Sequence, residues 1–181
     1  MSDLTTLSNV RQWLNISGTG DDLLLSRLIS ASSDFIKTWL SRDITLTYYS
    51  AFRNGTGTNR LMLRNYPVVS FTELSIDGIT IPPSTNRGPG YVYDDFSIQL
   101  IGYIFTKGIM NVGVSYQAGY STVPTEIDQA CIELVAMRYK EREHIGQTSS
   151  SQGGQTVTYN QDDLTDSIRS TLSQYRKVLT A

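Results

Sequence analysis

Side chains that could carry out catalysis are scarce in this sequence. Its 181 residues include one histidine, His144, and one cysteine, Cys131. His144 follows Arg142 and Glu143 at the end of a predicted helix, where the helix dipole favours a cation. Cys131 falls on the apolar face of that helix, as a small buried hydrophobe would. A zinc site would need mostly carboxylate ligands, so we predict no catalytic residue, no metal and no cofactor.

Two pairs of adjacent carboxylates are the next candidates for chemistry, Asp94-Asp95 and Asp162-Asp163. Neighbours on a strand point to opposite faces and neighbours on a helix diverge by about 100°, so neither pair forms a shared acid/base site alone. We expect the first pair to end a strand and the second to cap a helix. Because the carboxylates of a glycosidase can come from distant segments, an enzyme acting on cell-wall polymers through Asp94 or Asp95 stays an alternative.

The sequence offers little for binding phosphate or nucleic acid. Residues 55–57 read Gly-Thr-Gly, but no lysine and no strand-to-helix transition follows, so we predict a hairpin tip there. The arginines near this tip are Arg53, Arg60 and Arg64. The formal net charge is -2 and the pI about 5.3, so no global basic field is present to neutralise phosphates. We therefore predict no sequence-specific nucleic-acid partner.

Tyrosine is enriched, with eleven tyrosines against five phenylalanines. Most of them fall between residues 44 and 120. Tyrosine suits positions with one packed and one polar end, so these side chains could anchor protein interfaces, bind sugar, or be ordinary half-buried strand residues. A carbohydrate- or surface-binding β module that uses Tyr91 and Tyr93 stays a second alternative.

The two ends of the chain have helical patterns. After a Thr6 N-cap, apolar residues at intervals of three and four predict a helix to Asn15, and a second helix begins at Asp21 or Asp22 and runs to about Ser41. Pro124, followed by acidic residues, predicts a helix to about His144. A last helix is predicted from Asp162, with an apolar stripe formed by Leu164, Ile168, Leu172, Tyr175 and Leu179.

The middle of the chain has the period of strands. Alternation after Ile44 and again at Leu61 and Leu63 predicts a hairpin whose loop is 53–59. Asp77-Gly78 is a typical two-residue hairpin turn. Further strands are predicted near 91–94, 97–100 and 110–116.

These elements predict an α+β fold, a helical bundle built from N- and C-terminal helices with an inserted antiparallel β subdomain. The predicted segments are N-terminal helices over 1–43, a β-rich insertion over 44–120, a core helix over 121–145, a flexible Gly/Ser loop over 146–160 and a C-terminal helix over 161–181. No basic start precedes an apolar run, and no segment approaches the roughly 20 apolar residues of a membrane span. We expect no membrane partner and synthesis in a bacterial host cytoplasm.

Residues 111–154 read NVGVSYQAGYSTVPTEIDQACIELVAMRYKEREHIGQTSSSQGG. This strand, aromatic turn, long helix and Gly/Ser loop resemble the head-tail connector, or adaptor, proteins of tailed bacteriophages. The opening LTTLSNVRQWLNI and the phrase LMLRNYPVVSFTELSIDG are similar to the form of that family with a β-rich insertion. The order of the motifs carries the resemblance, since no single motif is diagnostic.

The resemblance implies a structural virion protein without enzymatic activity. Such adaptors form a homo-oligomeric, dodecameric ring in the neck, between the portal protein and a stopper or tail-completion protein, and DNA passes through the lumen. The family's C-terminal segment docks on the portal, and from the apolar pattern we expect Leu164, Ile168, Leu172 and Tyr175 to do so here. From the charge pattern, contacts between neighbouring subunits are predicted at Arg138, Arg142 and Glu143.

Overall fold

A computed structural model of the chain describes residues 2–142, 149–152, 155–158 and 164–176. Within these ranges the chain forms four α-helices and nine β-strands. The fold class is α+β, as predicted, with helices from both ends of the chain flanking antiparallel sheets. The chain divides into two compact units: a helical unit, Met1–Arg42 with Val123–Ala181, and a β unit, Asp43–Thr122.

The helical unit contains all four helices. Their bounds are α1 Leu7–Leu14, α2 Asp22–Leu40, α3 Thr125–Glu141 and α4 Asp166–Ser173. The predicted N-cap of α1 is confirmed, because Thr6 Oγ1 accepts a hydrogen bond from the Asn9 amide at 3.2 Å. This bond satisfies one of the amides that a helix start leaves without an intrahelical partner.

The core of the helical unit is formed by the apolar stripes of these helices. Its fully buried side chains include Val10, Leu25, Ile36, Leu40, Ile127, Leu134 and Leu172. Each such burial contributes roughly 1.5–3 kcal/mol. Several polar groups are buried beside this core, and one of them, Ser33 Oγ, accepts a hydrogen bond from the Leu4 amide at 2.9 Å and so connects the N-terminal segment to α2.

The start of the last helix differs from the prediction. The helix begins at Asp166 rather than Asp162, because Thr165 Oγ1 accepts from the Ile168 amide at 3.3 Å and caps it there. Leu164 precedes the cap and is not helical. The pair Asp162-Asp163 and the predicted extension to Leu179 lie outside the described residues.

The β unit contains two antiparallel sheets. The first has the order β1-β7-β3-β4 and the second β2-β6-β5. Their strands are β1 Thr47–Gly55, β2 Arg60–Met62, β3 Val68–Ile76, β4 Ile79–Thr80, β5 Gly90–Tyr93, β6 Ser97–Ile101 and β7 Gly108–Ala118. Buried side chains from both sheets form one cluster, which includes Leu74, Ile98, Phe105, Val112 and Val114.

The prediction that the first two strands form a hairpin is wrong. β1 pairs with β7, with Tyr49 opposite Tyr116, whereas β2 pairs with β6, with Leu61 opposite Ile98. Alternating hydrophobicity identifies a strand and its buried face but not its partner. The Asp77-Gly78 hairpin turn is confirmed: both residues have positive φ, 52° and 80°, and they join β3 to β4.

The segment predicted as a Gly/Ser loop contains regular structure. Two short strands, β8 Ser149–Gln152 and β9 Gln155–Thr158, pair antiparallel. The loop interpretation rested on the shortage of apolar side chains, but a hairpin ladder is formed by the backbone and can form in a polar sequence. The flexibility of this segment stays a prediction.

Candidate functional site

Asp94, a candidate catalytic carboxylate, is occupied by structural hydrogen bonds. Its Oδ1 accepts from the amides of Phe96 at 2.9 Å and Ser97 at 2.6 Å, and its Oδ2 accepts from Ser97 Oγ at 2.9 Å. The Phe96 amide is the largest cause that holds the pKa of Asp94 below its usual range. Such a carboxylate stays ionised and closes the turn between β5 and β6, which fits a turn role better than an acid/base one.

Cys131 is buried in the helical unit, as predicted, and its Sγ lies 3.7 Å from Ser33 Oγ. Burial is the main cause that raises the pKa of its thiol to about 11. A thiol with that pKa is almost fully protonated at neutral pH and is a weak nucleophile. Within the described ranges no group of three or more His, Cys, Asp or Glu side chains is placed to hold a metal ion. His144 lies outside those ranges.

The three arginines near the predicted hairpin tip, Arg53, Arg60 and Arg64, do not form one basic patch. Arg60 pairs with Asp94, with 3.5 Å between guanidinium and carboxylate. Burial, and then the charge of Arg64, lower the pKa of Arg53. One of the three arginines is therefore neutralised, and the other two repel each other.

The two tyrosines proposed for sugar binding differ in exposure. Tyr91 is only 6% exposed and packs against Phe71, with ring centroids 5.1 Å apart. Tyr93 is exposed and lies 5.8 Å from the same ring. A sugar-binding platform needs accessible ring faces, so the burial of Tyr91 counts against the carbohydrate module.

The charged residues predicted for subunit contacts make contacts within the helical unit. Arg138 donates to Ser32 Oγ at 3.2 Å, and its guanidinium lies over the Phe35 ring at 5.0 Å. Arg142 is exposed, donates to the Tyr139 carbonyl at 2.6 Å and stacks on that residue's ring. Arg138 thus ties α3 to α2, while Arg142 keeps an accessible surface. Glu143 lies outside the described residues.

The residues predicted to dock on the portal are mostly buried. Leu164, Ile168 and Leu172 belong to the core of the helical unit. Tyr175 is half-buried and donates its hydroxyl hydrogen to Glu126 on α3 at 2.6 Å. The apolar stripe of α4 packs against another surface, and α3 of the same chain supplies that surface. These contacts do not test docking, and they leave the exposed face of α4 as the accessible part of that helix.

Exposed apolar side chains collect at one end of the β unit. We call this group the apolar tip and define it as Ile79, Tyr103, Ile104, Ile109 and Met110. Strand register brings Ile79, Ile109 and Met110 to this end, because the β3–β4 turn, the end of β1 and the start of β7 meet at this edge of the sheet. Tyr103 and Ile104 precede β7 and line one cavity together with Ile79. Ile109 is 87% exposed and Ile79 67% exposed, an unusual outcome for isoleucine.

A polar cluster holds the backbone beneath the apolar tip. The Asp77 carboxylate accepts hydrogen bonds from the Thr106 hydroxyl and from Asn111 Nδ2, the latter at 3.0 Å. Asn111 Oδ1 also accepts from the Gly55 amide at 2.9 Å. The Thr106 bond, followed by the Asn111 bond, lowers the pKa of Asp77. Three chain segments that are distant in sequence are thus tied at one point.

The tip was not identified from the sequence. Residues 102–110 read GYIFTKGIM, and only Met110 of this run falls within a strand predicted from the sequence, that near 110–116. The available signal was that Ile104, Ile109 and Met110 follow no strand period, since a half-buried strand alternates. Composition alone does not separate such residues from core residues.

None of the helices in the described part of the chain is long and apolar enough to cross a membrane.

Comparison with known families gives one match that spans the two units. A family model described as "HCP: Head completion protein" matches residues 3–178. No curated protein sequence matches the chain.

Solved structures share the fold. A chain of the "Neck of native GTA particle computed with C12 symmetry" aligns with a TM-score of 0.60 and 16% identity, covering 99% of this chain and 96% of that one. A chain of the "Neck of empty GTA particle computed with C6 symmetry" aligns with a TM-score of 0.59 and 15% identity, covering 98% and 92%. A third is from the "Virion of native gene transfer agent (GTA) particle", with a TM-score of 0.59 and 16% identity. At such identity the likeness concerns the fold.

Proposed function

This chain belongs to the head completion protein family, and we propose that it is the ring-forming adaptor between head and tail in the neck of a phage-like virion. The observation that carries the proposal is the extent of the family match. Residues 3–178 include the helices at both ends and the whole β unit. The order of sequence motifs that resembles head-tail connectors is an independent support.

The ring is the first part of the proposal. Chains with the same fold come from particle necks that were computed with C6 and C12 symmetry. This supports a dodecameric ring of this chain. A ring arises when a heterologous contact repeats around a closing rotation. Arg142, the exposed member of the charged set, is our candidate for the contact between neighbouring subunits.

Portal docking is the second part. We assign it to the C-terminal segment, residues 161–181, and place the contact on exposed α4 residues such as Arg169 and Ser173. The buried stripe of α4 would hold the helix in place for this contact. A stopper or tail-completion protein would lie on the other side of the ring.

The passage of DNA through the lumen agrees with the charge of the chain. Each phosphate neutralised by Lys or Arg strengthens binding to DNA. A chain with a formal net charge of -2 lacks the excess of cations that would retain passing DNA. The protein would act as a structural part, without turnover, made in the host cytoplasm and assembled into the neck.

The test is native mass spectrometry of the purified protein, alone and mixed with the portal encoded in the same genome. We expect a complex with about twelve copies of the chain in the presence of portal. Arg169→Glu should reduce that complex, because it reverses a charge on the proposed docking face. Arg27→Glu, the same change on an exposed position of α2, is the matched control. If the chain forms no complex with the portal protein, the result would contradict the adaptor role.

A further inference from the structure

We propose that the apolar tip of the β unit is a docking surface for an uncharged, apolar segment of a different neck protein. This inference rests on the proposed adaptor role and adds a partner of stated chemistry. It starts from the exposure of Ile79, Ile104 and Ile109, each of which places more than half of its surface in water. Monomeric soluble proteins rarely expose contiguous apolar patches of this kind without a binding role.

Hydrogen bonds within the chain fix the conformation of the tip without a bound partner. Asp77 and Asn111 join the β3–β4 turn, the end of β1 and the start of β7 through hydrogen bonds of 2.8–3.0 Å. The Met110 amide donates to Asn54 Oδ1 at 2.8 Å, which fixes the residue at its positive φ of 52°. A surface already held in one conformation loses little conformational entropy on binding.

A concave site is lined by three of the five tip residues, Ile79, Tyr103 and Ile104, and Ile109 and Met110 are not among its lining residues. It has a volume of about 770 Å³ and is lined mainly by apolar side chains, including Ile79, Ile81, Leu100 and Ile104. The Phe105 side chain, between β6 and β7, is buried, and the Phe105 amide donates to the Thr58 carbonyl at 2.8 Å. A cleft of this size and lining accepts apolar side chains from a partner.

The charges in the cavity argue against phosphate ligands, and the exposed Lys107 of the same segment is not among the lining residues. Asp77 is the one acidic group in the described lining of the cavity, and that lining contains no cation. The Asp77 carboxylate is already bonded to Thr106 and Asn111. Nucleic acids and lipid head groups need cations to offset their charge, and a charged ligand would be desolvated here without compensation. The complementary surface is therefore uncharged and apolar.

The exposed area of the tip helps to decide between two possible partners, another copy of this chain and a different neck protein. Its five side chains expose on the order of 500 Å², the size of the largest patches on monomers. A stable interface of standard size buries about 800 Å² per partner. The tip alone is therefore too small for a stable pair of copies in solution. Repeated around a ring, weak contacts of this size gain strength through multivalency. Because Arg142 of the helical unit is already our candidate for the contact between copies, we assign the tip to a second multi-copy neck component.

Site-specific photo-crosslinking in assembled particles tests the identity of the partner. p-Benzoylphenylalanine is placed at Ile109 in the tip or at Val69, an exposed control at the opposite end of β3. Irradiation of purified particles should join Ile109, and not Val69, to a different virion protein identified by mass spectrometry. A product that contains two copies of this chain, or no product from Ile109, would overturn the proposal.

A pair of variants separates this inference from the adaptor role. Ile104→Ser with Ile109→Ser should leave portal binding and the urea unfolding midpoint unchanged, and should reduce recruitment of the downstream neck component by at least about tenfold. Val69→Ser should recruit it normally. If the wild-type chain binds neither portal nor heads, the adaptor role itself fails. If wild type binds and the double variant still recruits normally, only the tip inference fails.

Discussion

The helical unit and the β unit of this chain differ in how they use their apolar residues. Among the described residues, the large exposed hydrophobic side chains of the helical unit are three: Trp13, Leu23 and Leu24. The described residues of the β unit expose thirteen, including the five of the apolar tip. The helical unit therefore satisfies its apolar surface internally, whereas the β unit leaves much of it available.

The geometry of the elements explains the difference. A helix has one apolar stripe, and in the helical unit α2, α3 and α4 bury theirs within the unit. A strand has two faces and projecting ends, and two packed sheets cover only their inner faces. The outer faces and loop ends are then free to evolve as contact surfaces. We infer that apolar contacts with partners are concentrated in the β unit, whereas the contacts proposed for the helical unit, at Arg142, Arg169 and Ser173, are polar.

The largest expected effect concerns the one deeply buried anchor of the tip. Phe105→Ala should destabilise the β unit by about 3–5 kcal/mol, because the Phe105 ring is fully buried and its loss leaves a cavity. Eight of the eleven tyrosines lie in this unit, so near-ultraviolet circular dichroism in urea reports its unfolding. Ile104→Ala, one residue away and exposed, should change the free energy by no more than about 0.5 kcal/mol. Equal losses of stability from the two changes would contradict the assignment of Phe105 as buried and Ile104 as exposed.

A second prediction tests whether the stripe of α4 stabilises the helical unit. Leu172→Ala should cost about 2–5 kcal/mol, because Leu172 is fully buried in the helical core. Both tryptophans, Trp13 and Trp39, lie in this unit, so their fluorescence during urea unfolding measures the loss. Ser173→Ala, at the exposed neighbouring position, is the control. A loss below about 0.5 kcal/mol would show that α4 does not pack in solution and would restore Leu172 as a docking residue.

A third prediction compares two caps in the helical unit. Thr165→Ala should cost about 1 kcal/mol, since its hydroxyl oxygen accepts from the Ile168 amide at the start of α4. Thr6→Ala at the start of α1 should have a similar cost through the Asn9 amide. Tryptophan fluorescence in urea measures both. Thr→Ser at either position keeps the hydroxyl oxygen and should retain most of the stability.

The smallest expected effect is a pH dependence of the β unit. The hydrogen bonds that the Asp94 carboxylate accepts, of which that from the Phe96 amide has the largest effect, hold the pKa of Asp94 below the unfolded value. Stability from this group is therefore present above about pH 4 and is lost as pH falls through the folded pKa. The urea midpoint of the tyrosine signal should fall between pH 5 and pH 3. Asp94→Asn should make that fall shallower and Asp95→Asn should not; identical profiles would contradict the assignment.

Local patterns predicted much of the fold. The Thr6 cap, the extent of α2 and the Asp77-Gly78 turn each depend on residues within a few positions of one another. The pairing of β1 with β7 was missed because the partner strand lies more than 50 residues away along the chain. Periodicity carries no information about such a distance.

The exposure of the candidate surfaces does not follow from residue spacing as the elements of the fold do. An apolar stripe has the same spacing whether a partner protein or the chain itself covers it. Leu164, Ile168 and Leu172 pack within the chain, and their docking on the portal stays a prediction. The residues of the apolar tip are the reverse case: their composition is typical of a core, yet their side chains are exposed. Exposure is a property of non-local packing and is absent from residue spacing.

The sequence by itself determined the class of fold, the order of helices and strands, and, through the order of its motifs, the resemblance to phage connectors. The class of fold and the order of its elements follow from local backbone preferences and from periodicity, which each segment carries within itself. The tertiary structure decided which strands pair, which apolar residues are covered and where the exposed ones meet. Those outcomes depend on contacts between segments far apart in the chain, and only the folded arrangement specifies them.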